Sequence, residues 1–534
     1  MKKFLTELID SNYFFVSLLG FVFVLPLSEA LVSVFAGVVF VTALIEDTSE
    51  NKRNRIRSRR LLLMVPVIFF IYALSSLLTL KYDHSFYDVQ KVMFYLIFPL
   101  AFSLGKEVTQ RQKRVVLYVF TAGVLIAIMA ALVKWKLIPH TGNFSVHTIS
   151  LISHIRFSFQ LILVIWFLVF IGITNFRLST RSHLALLFLL VLINLGYLAF
   201  QQSLTGIVAF VASGIYFLYY LFTFTKGEYK VSLAVGLLLL IIVPAIYVQQ
   251  VVKTFYQFDM VDVETIDQFT AEGNPYSNDF GNRMVENGHF VGLYVCEDEM
   301  RREWNQVSEY KYDSMGLNGY PVYTTLVRYL TSKNLRKDAE GVKALKQKDI
   351  ENIEQGMANV IFQKKCSLYP RIYQTVWEVY VYSQTGYSNH QSFSQRIEFA
   401  KAAITIIKKH PLLGVGTGKW KQEFALAFKE NQSQLDQSLY ASSHNQYLNY
   451  MVKFGLIGFV LIMFLIVCPV VKTKRYRDPL FMVMLVFMFF ANFADSNLES
   501  HMGSSFFFFF YCFFITGPID YLKIKSGSLF SVKV

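Results

Sequence analysis

The feature that most constrains this chain is a run such as LLLMVPVIFFIYALSSLLTL, residues 61–80, which passes without a charge. A second run, VSLAVGLLLLIIVPAIYVQQ, covers 231–250. About twenty apolar residues at the helical rise match the hydrocarbon thickness of a bilayer, so each reads as a membrane-spanning helix. Composition agrees: 54% of the residues are hydrophobic and only 16% charged, against about 25% charged in soluble domains. The chain is expected to be an all-α polytopic membrane protein.

Twelve spans are expected, centred near residues 20, 38, 70, 97, 125, 165, 191, 213, 240, 460, 487 and 511. The first, in MKKFLTELIDSNYFFVSLLGFVFVLPLSEA, loosely resembles a signal peptide. Glu7 and Asp10 precede its apolar run and no clean small-residue cleavage site follows, so it is expected to stay as a helix. The links after even-numbered spans carry the basic residues: NKRNRIRSRR, KEVTQRQKR, NFRLSTRSH, TFTKGEYK and VKTKRYRD. Short basic loops stay in the cytoplasm, which places both termini inside. Much of the net charge of +14 is then topological, and a nucleic-acid partner is not expected.

The link between the ninth and tenth spans is different. Residues 251–443 are polar and rich in Tyr, Lys, Glu and Asn, so the expected domains are a membrane bundle over 1–250, an extracytoplasmic loop domain over 251–443, and a bundle with a cytoplasmic tail over 444–534. The loop domain is expected to be mainly helical. KQKDIENIEQGMANVIF places Ile350, Ile353, Met357, Val360 and Ile361 on one helical face, and RIEFAKAAITIIKKH, from Arg396, repeats the pattern. The stretch TSKNLRKDAEGVKALKQKD (331–349) reads most simply as a solvated face. Cys296 and Cys366 share this domain and could pair if it is extracytoplasmic; the four cysteines fit neither a disulfide framework nor a zinc spacing.

Where the tenth span begins, the chain reads SSHNQYLNYMVKFGLIG (442–458). Ser443 followed by Gln446 has the capping-box spacing, which puts His444 in the first helical turn. Free N–H groups and the helix dipole there favour an anion and disfavour imidazolium, leaving a neutral ring able to take a proton. The plainer alternative is a polar residue marking the membrane interface. Asn445 and Gln446 are possible supports. Gly455 and Gly458 would let the helix pack closely and hold the imidazole still. Upstream, HPLLGVGTGKW (410–420) is a glycine-rich turn without the Walker spacing, whose amides either pack tightly or face a phosphate.

Arg396 before an amphipathic helix, then HPLLGVGTG, then HNQYLNYMVKFGLIG resembles the O-antigen ligase family of bacterial membrane glycosyltransferases. The motif region covers roughly 390–465, and the span layout extends the likeness along the chain. The resemblance implies a GT-C-like fold in the inner membrane and metal-independent, inverting transfer of a glycan from undecaprenyl diphosphate, without a cofactor. Its acceptor would be a hydroxyl of lipid A-core, a growing polysaccharide or a protein, at the periplasmic face. It also implies His444 as base and Arg396 as a holder of the donor diphosphate, a task that suits the guanidinium fork.

One departure is visible. Family members often carry Ser-Arg at the outer end of a mid-chain helix, where QQSLTG (201–206) has Leu204. Arg156, at the mouth of the sixth span, is the candidate replacement, although an arginine there can also snorkel to headgroups. Asp495 and Glu499 could orient His444 or act as a base, or sit in a solvated loop. His140, His147 and His154 recur every seven residues, but Pro139 and Gly142 argue against one face and hence against a metal site. A transporter or flippase also suits twelve spans, yet the ionisable candidates cluster at the outer face rather than at mid-membrane.

Overall fold

The computed structural model describes residues 12–79, 85–137, 148–174, 180–225, 227, 229–364 and 367–517. Glu7, Asp10, His140, His147, Cys366 and the tail from 518 lie outside the described residues. The helices are α1 (Tyr13–Val24), α2 (Glu29–Ile45), α3 (Ser49–Ser58), α4 (Pro66–Leu78), α5 (Ser85–Lys91), α6 (Phe94–Leu104), α7 (Gln110–Leu137), α8 (His154–Thr174), α9 (Arg181–Phe200), α10 (Leu204–Phe224) and α11 (Tyr229–Phe255). After a two-stranded hairpin, β1 (Val285–Glu286) and β2 (His289–Phe290), come α12 (Glu297–Val307), α13 (Val322–Ser332), α14 (Ala339–Lys343), α15 (Gln347–Glu354) and α16 (Tyr369–Thr385). The last are α17 (Ser392–Lys409), α18 (Trp420–Glu430), α19 (Gln446–Lys472), α20 (Pro479–Ala494) and α21 (His501–Ile515).

A helix covers every one of the expected span centres, and the protein is an all-α membrane protein. Among the described residues, seven helices are long and apolar enough to cross a bilayer, or up to eight if the bent pair α2–α3 is one span. The others are shorter: α1, α20 and α21 are apolar helices of 10–17 residues, and α6 contains Pro99. The basic segment after α2 is itself helical; α3 turns from α2 by 112°.

The described residues fall into two compact units, one drawn from 1–135, 147–241 and 395–534, the other from 136–146 and 242–394. Residues 395–443, expected with the loop domain, pack in the larger unit. That unit is organised by α21, whose side chains are buried from Met502 to Ile515. A helix that is apolar all round belongs in the interior. Phe509 of α21 stacks on Phe21 at 4.5 Å and meets Phe98 and Phe102 edge-on.

In the smaller unit, Met300, Trp304, Leu326, Tyr329, Leu330, Ile350 and Ile353 form one core. The single long helix expected over 346–362 is broken: α15 ends at Glu354, and Val360–Gln363 is a separate 3-10 turn. Gly356 breaks it, with φ +83° and no room for a side chain, since a Cβ there would lie 2.4 Å from Asn318 Cβ. Nor is 331–349 a solvated face. Lys337, Asp338 and Asp349 are buried. Asp338 caps α14, and Asp349 accepts from Lys333 Nζ at 2.6 Å and Tyr329 at 2.7 Å. Cys296 is buried and makes no disulfide among the described residues, and its expected partner Cys366 lies outside them.

Candidate functional site

The larger unit builds the site around a broken helix. Inside α19, Gly455 has φ +63° and ψ −170°, so the helix stops and restarts there. The freed amides of Leu456 and Ile457 donate to the carbonyls of Pro411 and Leu412, at 2.8 and 3.2 Å. In return, Val415 and Gly416 donate to the carbonyls of Val452 and Lys453, at 2.9 and 2.8 Å. HPLLGVGTG and KFGLIG are thus two halves of one backbone joint. A Cβ on Gly455 would lie 2.2 Å from the Leu412 carbonyl. The glycine therefore serves a break filled by a turn, not the close packing of a continuous helix. Gly458 stands beside Phe454 of its own helix.

The turn's amides do not face a ligand. Gly414 donates to His410, Thr417 to Ser75 Oγ and Gly418 to Thr79 Oγ1, the last two at 3.0 Å. With Val415 and Gly416 already paired, every amide from 414 to 418 is used. The phosphate-facing alternative is set aside by these bonds.

His444 lies just outside α19 rather than in its first turn. Asn445 is the N-cap, its side chain accepting from Tyr447 N and Leu448 N at 3.0 and 3.1 Å. The expected capping box is replaced because Ser443 turns to Asn449, donating to its Oδ1 at 2.7 Å. His444 takes the left-handed φ of +46°, uncommon for a residue with a Cβ. Such a conformation persists where its surroundings hold it. The ring stacks on Phe399 of α17, centroids 5.3 Å apart.

The structure brings three of the expected residues together. His444 Nδ1 is 3.1 Å from Asp495 Oδ1, and Arg156 is 2.7 Å from Asp495 Oδ2. Asp495 and Arg156 side chains are 10% and 15% exposed, whereas that of His444 is 40% exposed. Burial by itself would raise the Asp495 carboxyl. The His444 hydrogen bond, the Arg156 charge and the Ser496 amide outweigh it and hold the group at about 2. A carboxylate only accepts, so a neutral His444 bonds it through Nδ1–H and keeps its lone pair on Nε2.

Arg156 also approaches Ser153 Oγ and Ser500 Oγ, each at 3.4 Å. The helix that begins at Leu204, α10, meets α8 where a Cβ on Gly206 would lie 2.5 Å from Ser158 Oγ. Arg396, half-buried, stands one helical turn before Phe399 on α17. Gln446 is buried and accepts from Leu498 N at 2.8 Å, and Asn445 Nδ2 donates to the Phe493 carbonyl. The first ties the start of α19 to the α20–α21 link that carries Asp495, and the second ties it to the last turn of α20. An apolar cavity of about 280 Å³ runs between α19 and α20 from Gln446 and Asn492 to Tyr476.

Glu499 makes no described hydrogen bond to His444 and faces a second cluster. With Asp88 it grips Lys453, whose Nζ is 2.7 Å from Asp88 and 3.1 Å from Glu499, all three side chains under 10% exposed. Tyr72 donates to Glu499 and Trp420 Nε1 to Asp88. Sequence reasoning missed this cluster. A lysine inside the apolar run after His444 was the available signal, because a charge at that depth needs a partner.

Residues 348–463 match the O-antigen ligase family model. The resemblance to that family therefore stands over the segment that carries Arg396, the glycine turn, His444 and the break at Gly455. No curated protein matches the chain.

Proposed function

We propose that the protein is an O-antigen ligase-type glycosyltransferase that moves a glycan en bloc from undecaprenyl diphosphate to a hydroxyl of lipid A-core. The reaction would occur at the periplasmic face of a bacterial inner membrane, in a twelve-span chain with both termini in the cytoplasm. The observation that carries this reading is the contact of His444, inside the matched segment, with Asp495, the His444 ring being left open to solvent.

His444 Nε2 takes the acceptor hydroxyl proton as the oxygen attacks the anomeric carbon. The bond from that carbon to the diphosphate oxygen breaks, undecaprenyl diphosphate leaves, and the configuration inverts. Asp495 holds the imidazole in the required tautomer and stabilises it once charged, and Arg156 keeps Asp495 anionic. Arg396 supplies a bidentate grip on the departing diphosphate. Arg156 adds positive potential where Leu204 stands in place of an arginine. The apolar cavity beside Gln446 offers walls for an isoprenoid tail.

The test is transfer by purified protein in detergent, from undecaprenyl-diphosphate-linked glycan to rough lipopolysaccharide, with a chelator present. Ligation by the wild type, lost in folded His444→Ala and Arg396→Ala, is expected. Extension of the lipid-linked glycan instead would make the protein a polymerase, and transfer only to a protein acceptor would make it a protein O-oligosaccharyltransferase.

A further inference from the structure

We infer that Asn449 is the positioning residue for the His444–Asp495 pair, an assignment that rests on the proposed role of that pair. Asn449 is one turn into α19 and 2% exposed. Its amide is used at both ends. Oδ1 accepts from Ser443 Oγ at 2.7 Å and from Ser443 N at 3.3 Å. Nδ2 donates to Ser496 Oγ at 2.6 Å and to Glu499 Oε2 at 3.2 Å.

Ser443 is the residue before His444, and Ser496 is the residue after Asp495. One buried amide therefore clasps the backbone neighbour of the ring and the backbone neighbour of its carboxylate. Ser496 N also donates to Asp495 Oδ1 at 2.8 Å, so the clasp reaches the carboxylate through a single residue. The Glu499 end is anchored in turn, because Lys453 and Tyr72 hold that carboxylate. The left-handed turn at His444 has no glycine to ease it, and the Ser443–Asn449 bonds hold its entry.

Neither His444 nor Asp495 touches Asn449 in any described hydrogen bond, so its effect is on geometry alone. Asn449→Asp keeps the shape and the Ser443 bonds but sets a carboxylate against Glu499. Asn449→Asp with Glu499→Gln inverts the amide–carboxylate pair and restores a donor across it at unchanged net charge. Misplacing a catalytic group by about 1 Å can cost on the order of 10²-fold in rate.

The experiment compares wild type, Asn449→Asp and the double variant by glycan transfer and by ¹⁵N NMR of histidine-labelled protein, His444 being assigned by its loss in His444→Ala. In Asn449→Asp, kcat should fall roughly 10–10²-fold with donor KM little changed. The Nδ1–H tautomer signal of His444 should weaken, and the double variant should recover both. A lowered melting temperature with unaltered kcat and NMR signal would overturn the assignment, as would a double variant no better than the single. If no transfer occurs with any acceptor but the NMR signal follows the predicted loss and recovery, the functional reading fails and the positioning role stands.

Discussion

Two charged clusters lie along the first turns of α19, built from the same kinds of group and differently finished. In one, Asp495 bridges Arg156 and His444, and the ring is left 40% exposed. In the other, Lys453 is caught between Asp88 and Glu499, with Tyr72 and Trp420 completing the carboxylates. Every charge in the second is consumed inside the protein. In the first, the bonds at Nδ1 leave Nε2 for an outside proton. The difference separates a device that holds the fold from one that can do chemistry, although both would read as polar interruptions of a membrane helix.

The largest expected effect sharpens that division. His444→Ala should lower transfer by about 10²–10⁴-fold, the usual worth of a general base, with little change in melting temperature. Lys453→Met should do the reverse. Removing one partner of a buried ionic cluster costs about 3–5 kcal/mol, because the carboxylates left behind are uncompensated. Thermal denaturation in detergent would register it, while turnover per folded molecule should fall by no more than about tenfold. An unshifted transition would mean the sealed cluster does not hold the fold.

Gly455→Ala should be next. A Cβ there meets the Leu412 carbonyl at 2.2 Å and forces a left-handed φ on alanine. Strain of about 1–3 kcal/mol is expected, together with weakened transfer, since the same joint positions the start of α19. Wild-type stability with full activity would show that the turn can withdraw from the break.

The smallest effect is a pH dependence. Asp495 is held at about 2 against an ordinary 3.8. Its stabilisation, about 2 kcal/mol, is complete above pH 4 and is lost as pH falls through about 2. The stability gap between wild type and Asp495→Asn should therefore be constant above about pH 4 and close toward pH 2. A gap that closes between pH 5 and 7 would assign the titration to another group. In activity assays at neutral pH the same variant should lose on the order of 10²-fold in kcat, because an amide no longer fixes the Nδ1–H tautomer.

Much of this was legible in the sequence, and the reasons differ by element. The helices at every expected span centre follow from uncharged runs, which leave the backbone no other way to satisfy itself in lipid. His444, Asp495 and Arg156 were each visible as ionisable groups at the mouths of helices, 288 residues separating Arg156 from His444. Their meeting was not visible, because it depends on how α8, α19 and the α20–α21 link pack. The glycines of HPLLGVGTG were recognisable as a tight turn. That the turn fills a break at Gly455 could not be read, since a helix with a glycine reads the same whether continuous or broken. Asp88 gave no periodic signal. Lys453 did stand out as a charge in an apolar run, but its partners lie 365 and 46 residues away, in segments that only packing brings to it.

The most direct test of the division is turnover and melting temperature measured together for His444→Ala and Lys453→Met, with saturating lipid-linked donor and acceptor. The account predicts a crossed pattern: a stable, inactive His444→Ala protein and an unstable Lys453→Met protein that still transfers when folded. A folded His444→Ala protein with undiminished turnover would contradict it.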